Sequence, residues 1–301
     1  MLVVAALGGN ALLKRGEPMT ANTQRANVRR ATTVLAQIVR DGHHLVLTHG
    51  NGPQVGLLAL QGAAYRPEEE YPLDVLGAET EGMIGYMIEQ ELENALNHER
   101  PVAALLTQVV VDKKDPAFAR PTKFVGPVYD KEEAEEKAAK GHWTIAQDGN
   151  KWRRVVPSPK PVEIPDIPVI QLLLKYGVIV ICTGGGGIPV VYQKDGSLTG
   201  IEAVIDKDAA SALLAKEIGA DALLLLTDVD GVYRDFGTPD ACRIDRLSPD
   251  EARALSLPDG SMAPKVTAAA DFVTAGSMAG IGRLEDAGQI LKEQAGTRIS
   301  L

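Results

Sequence analysis

The sequence predicts an α/β protein whose mainly parallel sheet is covered by helices on both faces, with a small subdomain inserted into it. Three observations predict this. Short continuous apolar runs alternate with segments whose apolar residues recur at helical spacing, the pattern of strands buried on both faces. The glycine-rich stretches follow those apolar runs, where loops at the carboxyl ends of parallel strands bind ligands. Between about residues 121 and 165 both patterns lapse into a proline-punctuated, charged stretch.

The elements follow in order. LVVAAL (2–7) reads as a buried strand, and Asn22 to Asp41 as a helix with Val28, Ala31, Val34, Leu35, Ile38 and Val39 on one face. Gly42 ends it as a C′ residue. HLVLTH (44–49) is a second strand, and GNGPQVG after it reads as a glycine loop. Asp74 to Leu96 reads as a long helix and VAALLTQVVV (102–111) as one strand. In the insert, DKEEAEEKAAK has the composition of a solvated helix, and WTIAQDGNKWRRVV forms a hairpin around Asp148-Gly149. Asp166 to Tyr176 is helical and VIVICT (178–183) is a strand. Asp206 to Ile218 is helical, with Ala209, Leu213 and Leu214 expected against the sheet, and DALLLLTDV (221–229) is a strand. Ser248-Pro249-Asp250-Glu251 has the form of a capping box, and Pro264 to Ala275 is a last long helix.

Composition narrows the function. The chain has 301 residues, enough for one large domain or two lobes, and its 45% hydrophobic content is that of a globular protein. A net charge of −9 argues against generic binding to phosphate backbones. Two cysteines, Cys182 and Cys242, make no disulfide framework, so a reducing cytoplasm is expected. MLVVAALGGN lacks the basic region of a signal peptide, and no apolar run approaches the ~20 residues of a membrane span. His43 and His44 have no cysteine or carboxylate at metal spacing and read as structural.

Four glycine loops remain: LGGNAL (7–12), THGNGPQVG (48–56), TGGGGIPVV (183–191) and TDVDGVY (227–233). None is a Walker A loop, and TGGGGIPVV has Pro189 where a dinucleotide fingerprint needs its third glycine. Four consecutive glycines after a buried strand exceed what a turn needs. Close approach of a ligand to backbone N–H groups is the favoured reading, and tight packing is the alternative. Lys207 and Lys265 each stand at a helix start, where the helix dipole disfavours a cation unless an anion is present. Two such lysines suggest one shared anionic ligand. Taken alone, Lys207 between two aspartates is an ordinary solvated residue beside the cap Asp206, and Lys123 is an ordinary surface lysine.

LGGNALL, LTHGNGPQVG, AFARPTKFVGPVYD, ICTGGGGIPVV, VIDKDAASALLA, LLLLTDVDGVY, GSMAPKV and GRLEDA…AGTRI, in this order, resemble the carbamate kinases of the amino acid kinase family over essentially the whole chain. The resemblance implies a three-layer αβα sandwich, with residues 1–180 as a phosphoryl-acceptor lobe carrying a protruding subdomain at about 121–165. Residues 181–301 would then form a nucleotide lobe. It implies reversible, Mg²⁺-dependent phosphoryl transfer between ATP plus carbamate and ADP plus carbamoyl phosphate, in arginine and carbamoyl phosphate metabolism, by a homodimer. Residue by residue, Lys123, Lys207, Asp208 and Lys265 match catalytic positions. Gly8, Gly9, Asn10, Gly50, Asn51, Gly52, Gly184 and Gly185 match substrate loops. Gly186, Thr227, Asp228, Val229, Tyr233, Met262, Pro264 and Lys265 match nucleotide positions. No protein metal site is implied, since the ATP phosphates carry the Mg²⁺. One departure is Ala263 where the family pattern has glycine, which would place a Cβ near the nucleotide. Two rival readings stay open: a relative acting on another carboxylate or on UMP, and a nucleotide sensor without turnover.

Overall fold

A computed structural model describes residues 1–14, 16–65, 71–141, 143–257 and 260–301; for Asn10 the backbone alone is described. The chain begins β1 (Leu2–Leu7), α1 (Ala21–Arg40), β2 (His44–His49), α2 (Gly52–Tyr65), α3 (Leu73–Ala95), β3 (Val102–Ala104) and β4 (Gln108–Val111). The inserted part follows as β5 (Lys123–Tyr129), α4 (Lys131–Gly141), β6 (Thr144–Asp148) and β7 (Lys151–Val156). Next come β8 (Pro161–Glu163), α5 (Ile167–Lys175), β9 (Ile179–Ile181), β10 (Ile188–Tyr192), β11 (Leu198–Gly200), α6 (Lys207–Glu217) and β12 (Ala222–Thr227). The chain closes with β13 (Val232–Arg234), β14 (Cys242–Ile244), β15 (Arg246–Leu247), α7 (Pro249–Ala254), α8 (Met262–Phe272), β16 (Met278–Arg283), α9 (Ala287–Leu291) and β17 (Thr297–Ser300).

An eight-stranded sheet in the order β15-β17-β16-β12-β1-β2-β9-β3 runs through the molecule. Every neighbouring pair in it is parallel except β16 with β17. Its central strands are apolar on both sides because both sides are covered. Val4, Ala6, Leu223 and Leu225 join a core with α6 and α8, while Val3, Ala5, Leu7 and Leu224 join a second core with α1 and α3. This is the α/β architecture expected.

Three expectations change. The run 102–111 is two strands in different sheets: β3 pairs with β9, and β4 pairs with β10 and β8. The break falls at Thr107, whose N–H donates to the buried Glu81 carboxyl at 2.8 Å and so leaves the ladder. Second, most of GNGPQVG is not loop. Gly52-Pro53 opens α2, a position where proline's missing N–H costs nothing. Gly56 is there because a Cβ would meet the Gly126 Cα of β5 at 2.4 Å, so the glycine that reads as a helix breaker is a docking contact for the insert. Third, on α6 the sheet-facing residues are Ala210, Ser211, Leu214 and Ala215, whereas Ala209 and Leu213 are half-buried and line a groove between α6 and α8. The buried hydroxyl of Ser211 is satisfied by Thr48 Oγ1 at 2.6 Å and the Lys207 carbonyl at 2.7 Å.

β5, β7 and β6 form a separate antiparallel sheet, with Gly149 at φ +63° in the hairpin turn and α4 beside it. Val125 and Val156 of this sheet pack with Val55, Leu73 and Leu76 of α2 and α3. That small cluster, with the Gly56–Gly126 contact, holds the first residue of β5, Lys123, beside the start of α6.

Candidate active site

The parallel order puts the carboxyl ends of β1, β2, β9 and β12 side by side, so the segments that follow them meet. Gly8 N–H donates to the Leu226 carbonyl and Gly50 N–H to the Leu7 carbonyl, both at 3.1 Å, which ties two of the loops to their neighbouring strands. Between them and the insert lies a cleft of about 310 Å³ lined by Gly9, Gly50, Asn51, Gly52, Gly185 and Pro264 together with Lys123, Lys207, Lys265, Asp206 and Asp208. Three helix starts line it: Gly52 of α2, Lys207 of α6 and Lys265 in the first turn of α8. Their dipoles all place positive potential in the cleft.

The charged side chains are ordered by two carboxylates. Asp208 is 4% exposed and accepts from Lys207 Nζ at 2.6 Å on one oxygen and from Lys265 Nζ at 3.1 Å on the other. Burial pushes the Asp208 pKa up, but the two ammoniums outweigh burial and bring it down to about 2, so the carboxylate stays ionised. Burial lowers the pKa of Lys207, the adjoining Asp208 raises it back, and Lys265 lowers it again; the net direction is down. Lys265 also donates to the Ser261 carbonyl at 3.3 Å. Asp206 caps α6, its Oδ1 accepting from the N–H groups of Asp208 at 2.9 Å and Ala209 at 3.2 Å. Its other oxygen receives Lys123 Nζ at 2.7 Å. The sequence reading left this ion pair out, because nothing in the local pattern of residues 121–130 tells where the insert folds back.

A wider cleft of about 580 Å³ adjoins the first. Gly9, Ser261 and Lys265 line both. Gly8, Thr227 and Asp228 line the wider one, with Arg283 of the GRLEDA motif and with Lys14 and Arg30, cations that belong to no motif. Val229 and Tyr233 lie half-buried beyond Asp228, and Met262 packs against the core; none of the three lines either cleft. Ala263 faces the groove between α6 and α8.

The four-glycine run is packed from every side. A Cβ on Gly184 would meet the His49 ring at 2.4 Å, on Gly185 the Asn51 amide at 2.0 Å, on Gly186 the Ile205 carbonyl at 2.4 Å and on Gly187 the Val109 side chain at 2.2 Å. Gly185, Gly186 and Gly187 also have φ of +67°, +101° and +86°. Tight packing therefore accounts for this run, and Gly185 alone of the four lines the first cleft. Behind it sit His49, at 1% exposure, and Glu81, at 3%. Burial holds His49 neutral with a pKa of about 4 and raises that of Glu81 well above its ordinary value. Asn51 donates to Thr80 Oγ1 at 2.8 Å, which aims this loop residue. For Asn10 the side chain lies outside the described residues.

Comparison with known proteins agrees with this geometry. Residues 1–281 match the model of the amino acid kinase family. Carbamate kinase of Rhizobium meliloti (strain 1021) is 57% identical over 303 residues, covering 100% of this chain and 93% of its own. Carbamate kinase of Haemophilus influenzae is 56% identical over 301 residues, covering 100% and 97%. The solved structure of carbamate kinase from Giardia lamblia bound to AMP-PNP superposes with a TM-score of 0.91 at 41% identity, over 100% of this chain and 98% of that one. The cleft, the sheet order and this full-length likeness agree: the chain belongs to the amino acid kinase family.

Proposed function

We propose that this chain catalyses reversible phosphoryl transfer between ATP plus carbamate and ADP plus carbamoyl phosphate. The observation that carries the reading is the meeting of three ammoniums, two carboxylates and three helix starts in one cleft that shares Gly9, Ser261 and Lys265 with a second. In the ATP-forming direction a β-phosphate oxygen of ADP attacks the phosphorus of carbamoyl phosphate, and the bond to the carbamate oxygen breaks. Carbamate leaves as an anion, so no general base is needed. The difficulty is bringing two anions together in line, which is a matter of positioning and charge. Lys207 and Lys265, fixed by Asp208, meet the phosphoryl oxygens where the clefts join, and Lys123 meets the acceptor end. Lysine suits this as a compact point charge.

In this reading Gly8, Gly9, Asn10 and Gly50 to Gly52 hold the acceptor and the phosphoryl group, Gly185 borders them, and Thr227 and Asp228 border the nucleotide. The acceptor lobe is residues 1–180 and the nucleotide lobe 181–301. Mg²⁺ would be held by the nucleotide's own phosphates and would supply charge neutralisation there. Among the described residues no group of three His, Cys, Asp or Glu is placed to cage it, and Asp206 and Asp208 already hold ammoniums. The working form is a homodimer: Val169 and Leu172 of α5 and Tyr176 at its C-cap are 49%, 54% and 75% exposed on one face, a face that a second copy would cover. The location is cytoplasmic, in keeping with two unpaired thiols, Cys182 buried and Cys242 exposed. Among the described residues no helix is long and apolar enough to cross a membrane.

The test is ATP formation from ADP with carbamoyl phosphate. The kinase reaction is run beside it with glutamate, aspartate and UMP as acceptors. Turnover with carbamoyl phosphate alone is expected. Turnover with another acceptor instead, or tight ATP binding with no transfer, would overturn the reading.

A further inference from the structure

Lys123 belongs to the insert, and the other two ammoniums belong to helices of the main body. Only one ionic contact among the described residues joins the Lys123 ammonium to that body, the 2.7 Å pair with Asp206. Asp206 is also the residue that starts α6, immediately before Lys207 and Asp208. One carboxylate therefore sets two registers at once. Its Oδ1 fixes the first turn of the helix that carries Lys207, and its Oδ2 fixes the ammonium of the insert relative to that turn. The side chains of Lys123 and Asp206 are 36% and 26% exposed, so the pair is open to the cleft and a ligand reaches it without unfolding anything.

We infer that Asp206 is a positioning residue for the phosphoryl acceptor: it holds the Lys123 ammonium in the cleft at a fixed place relative to Lys207 and Lys265. This rests on the placement of the acceptor beside Lys123. An ammonium has three N–H donors, and Asp206 occupies one, leaving two for a carbamate or phosphoryl oxygen. The charge count agrees with that use. Three ammoniums against two carboxylates leave one positive charge for an incoming anion, while the pairing keeps a freely rotating lysine from having to be ordered when the anion binds. Removing Asp206 acts in two opposing ways. The general field becomes more favourable to anions, and Lys123 loses its anchor. The positioning role requires the second effect to dominate, and only where Lys123 is present.

The experiment is a double-mutant cycle of Asp206→Asn and Lys123→Met. Asparagine caps a helix about as well as aspartate, so α6 keeps its start and Tm is expected to stay close to wild type. Asp206→Ser is the second variant, since serine also caps but is too short to reach Lys123. In the wild-type background both substitutions are expected to raise the KM for carbamoyl phosphate about tenfold, the scale of one charge-assisted hydrogen bond, and to leave the KM for ADP within about twofold. In the Lys123→Met background neither is expected to raise it further. An equal rise in both backgrounds, an equal rise for ADP, or no rise at all overturns the inference. If Lys123→Met itself leaves the KM for carbamoyl phosphate unchanged, both this inference and the placement of the acceptor fall. If Lys123→Met raises that KM and Asp206→Asn does not, this inference falls alone.

Discussion

At the residue scale, Asp208 is the hinge of the charge arrangement. A buried carboxylate or ammonium alone costs several kcal/mol, and this triad is affordable because each charge has a partner within 3.1 Å. The arrangement is then preorganised: when a phosphoryl group enters, the ammoniums are already in place and need no ordering. Lys207→Ala should lower kcat by on the order of 10²–10³, the loss from deleting one preorganised donor. Steady-state kinetics with a melting curve checks this, and a variant within threefold of wild type would remove Lys207 from the chemistry. Lys207 alone would read as a solvated residue; its side chain is only 12% exposed and is held by the buried Asp208 carboxylate, which it shares with Lys265 of α8.

At the element scale, the glycine run between β9 and β10 rests on a buried pair with opposite acid–base behaviour. His49 has a folded pKa of about 4 against an ordinary 6.5, so below pH 6.5 the unfolded chain takes up a proton that the folded one refuses. Stability is lost from that side as pH falls from 6.5 to about 4. Glu81 is displaced upward from 4.5, so in the window above 4.5 the folded chain keeps a proton that the unfolded one releases, and stability is lost as pH rises. Glu81→Gln has no such proton. Its Tm relative to wild type should climb as pH goes from 5 to 8, at a rate equivalent to at most about 1.4 kcal/mol per pH unit. Thermal unfolding across that range decides it, and a difference that does not change with pH would show Glu81 ionised in its niche.

At the scale of the whole molecule, one sheet carries both clefts, and the insert is docked on α2 through the contact of Gly56 with Gly126. Val169 and Leu172 of α5, with Tyr176 at its C-cap, leave one apolar face in solvent. Burying each against a second copy contributes about 1.5–3 kcal/mol. The double variant Leu172→Ser, Tyr176→Ser should shift the protein from dimer to monomer at micromolar concentration in sedimentation velocity. A distribution unchanged from wild type would place the interface elsewhere.

Local order alone determined much of this protein. The buried strands, α1 and its Gly42 stop, the capping box at Ser248, the hairpin at Gly149 and the two lysines at helix starts are all legible. Each is set by a periodicity or a cap that acts within a few residues. Tertiary structure decided what depends on a distant neighbour. Thr107 breaks a strand because Glu81 lies beside it; Gly56 is a glycine inside a helix because the backbone of Gly126 in the insert packs against it. Each of the four glycines after β9 is packed against a distant neighbour, His49, Asn51, Ile205 or Val109, that its own segment does not reveal. Asp206 reads as a helix cap from its own segment and becomes the anchor of Lys123 only when a strand 83 residues away folds across it. The chemistry-bearing residues are therefore visible in the sequence, and the pairings that order them are not, because an ion pair leaves no periodic trace along the chain.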